Sequence, residues 1–285
     1  MGNWGYQKSG RQRQVFRAKL YLLAVGILIL GALLFREGDK AGEKGNPPQP
    51  EAVPETREEE ENGEEKTETE PETVPGTQPL EYSGRIRVLL KTTGYEGELH
   101  EELRLSSASG QDLTVYDREN GETIDSGNSL SFTREEDTLF LNGEPLAELY
   151  SCMRVRPAEG DGAGIAVETV ERNSGIPVYE GELEIWPAEE GFYLVNDLPF
   201  ETYLKYVVPS EMPSGYSMEA LKAQAVCART YACRQLQSYD FPACEAHVDD
   251  SVSYQVYNNT GAAESTSQAV DETAGLVLTS GGQPI

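Results

Sequence analysis

Apolar and polar positions fall into four successive patterns along the chain. Leu20 to Phe35 is an uncharged, mostly apolar run of 16 residues. From Gly38 to Pro79 aliphatic residues almost disappear, and Glu, Pro, Thr and Gly take their place. From Tyr82 to about Pro187, short β-favouring runs alternate with turn clusters. Beyond Leu198 the spacing turns helical. The alternation Arg85/Ile86/Arg87/Val88 predicts a strand. Further strands are expected at Leu113–Tyr116, Leu130–Thr133, Thr138–Leu141, Gly164–Val170, Val178–Ile185 and Gly191–Val195. Asn120-Gly121 and Asn142-Gly143 read as hairpin turns, because both central residues tolerate positive φ.

The helical part opens after Pro199, a residue suited to a first turn. Val207-Val208-Pro209-Ser210-Glu211-Met212-Pro213 then predicts a rigid turn that presents one acid between two prolines. A long helix should run from about Ser217 to Gln237, with Ser217 as its cap and Glu219 in its first turn. Leu221, Ala225, Ala228, Ala232 and Leu236 form one apolar stripe at helical spacing. Met218, Lys222, Val226, Arg229 and Cys233 make a second face, and Gln224, Tyr231 and Gln235 a third. So apolar a surrounding implies a largely buried helix, in which cations need partners or a task. The plain alternative is that Lys222 and Arg229 are solvated charges, and that Glu211 merely precedes a helix. A helix is also expected at Ser265–Thr273 and a strand at Gly275–Thr279.

Charge divides the chain further. Residues 1–36 carry six bases and no acid, whereas residues 37–81 carry fifteen acids against four bases, or −11. With a formal total of −26, residues 82–285 must hold −21. Such a balance argues against nucleic acid as a partner. At a rise of about 1.5 Å per residue the apolar run is slightly short for a hydrocarbon core of roughly 30 Å. The stems of Arg17, Lys19 and Arg36 can make up the difference. Its basic N-terminal side predicts a cytoplasmic N-terminus and an exported remainder. A cleaved signal peptide is the competing assignment, but no Ala-x-Ala site follows, which favours an uncleaved anchor. The expected organisation is a basic segment at 1–19, an anchor at 20–36, a disordered acidic linker at 37–81, a β-rich module at 82–175 and a further domain at 176–285.

Cys152, Cys227, Cys233 and Cys244 do not form a disulfide framework, although an exported domain permits oxidation. Whether Cys152 and Cys244 pair is left open. Cys227 and Cys233, six apart on one helix, point in different directions and suit buried thiols. Cys244 and His247 have metal-ligand chemistry, but they supply two ligands where a structural zinc needs four. No cofactor is therefore expected, and zinc is the weak exception.

Three segments in order carry a family resemblance: Val195–Leu204, Val207–Pro213, and Glu219–Val226 with Ala228–Ala232. Together they resemble the SpoIID/LytB family over roughly residues 176–285. The resemblance implies a lytic transglycosylase acting on peptidoglycan strands stripped of stem peptides. It implies work in engulfment, in the space between mother cell and forespore membranes, with a SpoIIP-like amidase and endopeptidase and a SpoIIM-like membrane protein as partners. The family's catalytic glutamate falls on Glu211. Its helix residues implicated in substrate binding fall on Lys222, Arg229 and Tyr231, with Gln224 beside them as a further candidate. Ser253 and Tyr254 stand where some members carry a zinc-binding His-Cys pair. The family domain also runs past the position of Ile285, so more chain is expected downstream.

Taken together, the expected fold is α+β: a mostly antiparallel β module, then a domain built around one long buried helix, with an N-terminal transmembrane helix. In the implied chemistry one carboxyl first protonates the glycosidic oxygen, then removes the C6 hydroxyl proton as a 1,6-anhydro ring closes. That scheme needs a Glu with a raised pKa, which the apolar neighbours Val208, Pro209, Met212 and Pro213 favour. A cation beside Glu211 would oppose it. Lys222 and Arg229 are therefore expected on the substrate, holding the lactyl carboxylate of a stripped sugar. The runner-up is a non-catalytic module that grips glycan and stimulates an amidase.

Overall fold

The computed structural model describes residues 84–147, 150–158, 160 and 163–285. The expected basic segment, anchor and linker at 1–81 lie outside the described residues. Among the described residues no helix is long and apolar enough to cross a membrane.

The strands are β1 (Arg85–Leu90), β2 (Leu103–Ser107), β3 (Leu113–Asp117), β4 (Thr123–Gly127), β5 (Ser129–Glu135), β6 (Thr138–Leu141), β7 (Glu144–Pro145) and β8 (Met153–Pro157). β9 (Ile165–Val167), β10 (Val178–Tyr179), β11 (Glu182–Ala188) and β12 (Gly191–Pro199) follow. Helix α1 (Phe200–Glu211), helix α2 (Met218–Gln235), β13 (Val248–Asp249), helix α3 (Glu264–Glu272), β14 (Thr279–Ser280) and β15 (Gln283–Pro284) complete the order. The architecture is α+β with mostly antiparallel sheets. One sheet has seven strands in the order β13-β1-β12-β11-β8-β3-β4, and a second has six, β10-β9-β2-β5-β6-β7. β1 and β13 pair in parallel, through Val88↔Val248 and Leu89↔Asp249.

The chain is not divided at 175/176 as the sequence implied. β1, from the expected N-terminal module, pairs along its whole length with β12, Arg85↔Pro199 to Leu90↔Leu194. β8 pairs with β11 across the same expected boundary. The physical reason lies in burial. Ile86, Val88 and Leu90 of β1 share one core with Leu183, Leu194, Val208, Ala225 and Ala228. Leu89, on the opposite face, joins Val195, Cys244 and Ala246 in a smaller cluster. β1 is thus buried on both faces and cannot be the edge of a separate module.

Several strands, β2 and β8 among them, were hidden by composition. β2 has only Leu103 and Leu105 inward, and β8 alternates Met153, Val155 and Pro157 inward with Arg154 and Arg156 outward. Residues 275–278, expected as strand, are not; pairing starts only at Thr279. Asn142 and Gly143, both at positive φ, join β6 to β7 as their sequence predicts. Gly181 has φ +86, and a Cβ there would meet the Asp197 carbonyl at 2.5 Å, so glycine alone lets β11 begin against β12.

Candidate functional site

Helix α1 buries Phe200, Tyr203, Leu204, Val207 and Val208, the one-face spacing of an amphipathic helix. It packs on α2, α3, β12 and β1. The segment around Glu211 is not the free-standing turn the sequence implied. Val207 to Glu211 are helical, with Pro209 inside, and Glu211 is the last helical residue. Pro213 supplies the stop, because a residue before proline avoids helical geometry. Met212 is accordingly extended at φ −137 and ψ 129.

At this helix end the Glu211 Oε1 accepts the backbone N–H of Val256 at 2.8 Å. Burial raises the carboxyl pKa above its ordinary value, and the Val256 N–H opposes that rise. Among the described residues no Lys, Arg or His forms an ion pair with Glu211. Burial thus favours the neutral carboxyl, and the single neutral donor favours the ionised one.

The donor is positioned from the core. Gln255 and Tyr257, on either side of Val256, are fully buried. Tyr203 donates its hydroxyl to Gln255 Oε1 at 3.3 Å, and Gln255 Nε2 donates to the Ala228 carbonyl at 3.3 Å. Tyr257 donates to Asn196 Oδ1 at 2.7 Å, and its ring lies 5.0 Å from that of Tyr203. Two side chains thus peg the segment inward while Val256 between them offers its N–H to Glu211. Sequence reasoning missed this partner because a backbone donor has no residue signature. The polar and aromatic residues flanking a valine, Gln255 and Tyr257, are a signal that could have found it.

Helix α2 buries four members of the expected stripe, Leu221, Ala225, Ala228 and Ala232, whereas Leu236 lies just past the helix end and is half-buried. Arg229 is buried too, at 1% exposure, and does not face a substrate groove as the sequence implied. It forms a two-pronged ion pair with Glu201 of α1 at 2.9 and 2.7 Å, and it donates to the Val270 carbonyl at 3.0 Å. Its guanidinium thereby ties α1, α2 and α3 together. A charge so deep is stable only with its donors taken up, which is why it turns inward. Gln224 is buried and Tyr231 half-buried against the core. Lys222 is half-exposed and pairs with Glu272 of α3 at 2.7 Å and Glu219 at 3.3 Å. Only residues 212–217 separate the two helices, so Lys222 stands at the end of the helix pair that carries Glu211.

Cys244 and His247 lie elsewhere, over β1. The His247 Nδ1 accepts the Arg87 backbone N–H at 3.0 Å, and burial, then Arg87, lowers the imidazole pKa to about 4. Burial pushes the Cys244 thiol up to about 12. Both are engaged in the fold, and among the described residues no three His, Cys, Asp or Glu gather as a metal site. All four cysteines are free thiols. Two concavities of about 510 Å³, one beside His100 and Thr169 and one on the outer face of α3, do not include Glu211.

Residues 188–280 match the model of the family described as Stage II sporulation protein, SpoIID. An uncharacterised protein of Brachyspira hyodysenteriae is 42% identical over 113 residues, 39% of this chain and 30% of that protein. The Stage II sporulation protein D of Bacillus subtilis is 39% identical over 107 residues, 32% of this chain and 31% of that protein. The amidase enhancer of Bacillus subtilis is 42% identical over 75 residues, 26% of this chain and 10% of that protein. The matched part of this chain thus spans less than a third of each of these relatives. No solved structure matches.

Proposed function

We propose, from the premise that residues 188–280 of this chain belong to the SpoIID family, that the protein is a peptidoglycan lytic transglycosylase. It cleaves the MurNAc–GlcNAc bond of peptide-stripped strands and leaves 1,6-anhydro ends, as part of cell-wall remodelling in sporulation. Glu211 is the acid and then the base. The observation that carries the reading is its carboxyl, raised by burial, free of any ion pair among the described residues and fixed by the Val256 N–H. Hydrolases that activate a water generally use a second carboxylate. A single proton-holding group suits ring closure by the sugar's own C6 hydroxyl.

Lys222 is the substrate cation in this reading and exchanges Glu272 for the lactyl carboxylate of a bound sugar. Tyr231, half-buried on α2, lines the approach, whereas the buried Gln224 and Arg229 serve inside the helices that place Glu211. No metal or cofactor takes part. Residues 20–36 anchor the protein in the membrane with its N-terminus in the cytoplasm, and the remainder works outside it beside SpoIIP-like and SpoIIM-like partners. The test is to incubate the full chain with purified peptide-free glycan and analyse the ends by mass spectrometry. Anhydro ends support the reading, and reducing ends or no products contradict it.

A second reading draws on the relative named an amidase enhancer. In it the domain grips glycan and stimulates a partner amidase without cutting. It predicts glycan binding with no anhydro ends, and amidase stimulation that survives Glu211→Gln.

A further inference from the structure

Ser210 precedes Glu211 at the end of α1 and is half-buried. Its hydroxyl lies 2.7 Å from the Tyr206 carbonyl, one turn back, and 3.3 Å from the Thr260 carbonyl. The same oxygen accepts the Thr260 N–H at 3.1 Å. Two consecutive helix residues therefore hold both ends of one five-residue span. Glu211 receives Val256 at its start, and Ser210 receives Thr260 at its end. Between them, Asn258 Nδ2 donates to the Val178 carbonyl at 2.8 Å, and Asn259 Oδ1 accepts the Asn173 N–H at 2.9 Å. The middle of the span is thus tied to the β-rich side of the molecule, and only Ser210 ties its far end to α1 in these contacts.

We propose that Ser210 is a positioning residue: its hydroxyl clamps the span 256–260 onto the end of α1 and so fixes the N–H that holds Glu211. The hydroxyl has one proton and two lone pairs, and this geometry uses it both as donor and as acceptor. An alanine leaves the Thr260 N–H and the far end of the span without that partner. The span then loosens, and the Val256 N–H spends less time on Glu211. Because that N–H favours the ionised carboxylate, its partial loss moves the Glu211 titration upward. This inference rests on the reading of Glu211 as the proton-transfer group, but its readouts do not require turnover.

The experiment compares the full chain with Ser210→Ala and Ser210→Thr, labelled for NMR of the Glu211 carboxyl carbon and the Val256 amide. In Ser210→Ala the carboxyl titration shifts upward, and amide exchange at Val256 speeds up about tenfold. Ser210→Thr, which keeps the hydroxyl, restores both. The basic limb of the pH–rate profile moves upward with the titration. If Ser210→Ala does not fold, Ser210→Cys, which keeps the volume and weakens the hydrogen bonds, carries the same prediction. An unchanged Glu211 titration with only a lower melting temperature overturns the proposal, since it makes Ser210 merely structural. A shifted titration in a protein that yields no anhydro ends supports the clamp and sinks the transglycosylase reading alone. Turnover with no shift sinks the clamp alone.

Discussion

The Val256 N–H and the Glu211 carboxylate oxygen lie 2.8 Å apart, joining the end of α1 to a segment 45 residues further along the chain. Each of the two has a reason to be there. Pro213 ends the helix at Glu211, and the inward pegs Gln255 and Tyr257 leave Val256 facing it. The pair is a neutral donor on a buried acid, an arrangement that permits a proton to be held and released.

Tyr257→Phe tests the pegging. The hydroxyl donates to Asn196 Oδ1 at 2.7 Å, and Asn196 is fully buried. Removing it strands a buried acceptor, at a cost of about 1–3 kcal/mol in urea unfolding. Activity should fall as well, because Val256 loses one of its two fixed neighbours. An unchanged unfolding midpoint would show that the hydrogen bond adds nothing.

Arg229→Met should destabilise the fold by about 3 kcal/mol, since it removes a buried guanidinium and leaves Glu201 unpaired. Combining it with Glu201→Gln should recover part of that loss, because no uncompensated charge remains. A double-mutant cycle in chemical denaturation measures the coupling. A variant that keeps its stability but loses glycan affinity would return Arg229 to the substrate.

Acid stability should depend on His247. Its folded pKa, about 4, lies below the free value of 6.5. A group depressed in the folded state contributes stability above pH 6.5 that is lost as pH falls towards 4, up to about 3 kcal/mol. Asp250, raised to about 6, titrates in the same window with the opposite sign. The difference between the native chain and His247→Gln isolates the imidazole. Relative to the native chain, the variant should gain stability as pH falls from 6.5 towards 4, and parallel curves would contradict the assignment.

Ala228→Leu tests the close approach of α2. Ala228 is fully buried within the main core, and its carbonyl accepts from Gln255. The added atoms have no space, so a cost of about 1–3 kcal/mol is expected in thermal unfolding. A neutral result would mean that the helix is less tightly seated than its alanine stripe indicates.

Much of the fold was legible where one face alone is buried. The alternation in β3, β5 and β6 and the alanine stripe of α2 each translate directly into an inward set. β1 defeated the reading in a different way. Its local pattern predicted a strand, but not that β12 and β13 would flank it, because pairing partners more than a hundred residues away leave no local mark. β8 was missed because its outward arginines answer Glu182 and Glu184 on a neighbouring strand. At the site, Glu211 was visible as an acid among apolar neighbours. The task of Arg229 was not, since its partner Glu201 lies 28 residues earlier.

The proposed activity rests on Glu211 as the proton-transfer group. The most direct measurement is the rate of anhydro-end formation from peptide-free glycan by the full chain and by Glu211→Gln, with both shown to be folded and glycan-bound. Loss of the acid should slow the rate by roughly 100- to 10,000-fold with little change in binding. A Glu211→Gln protein that releases anhydro ends at the native rate would contradict it.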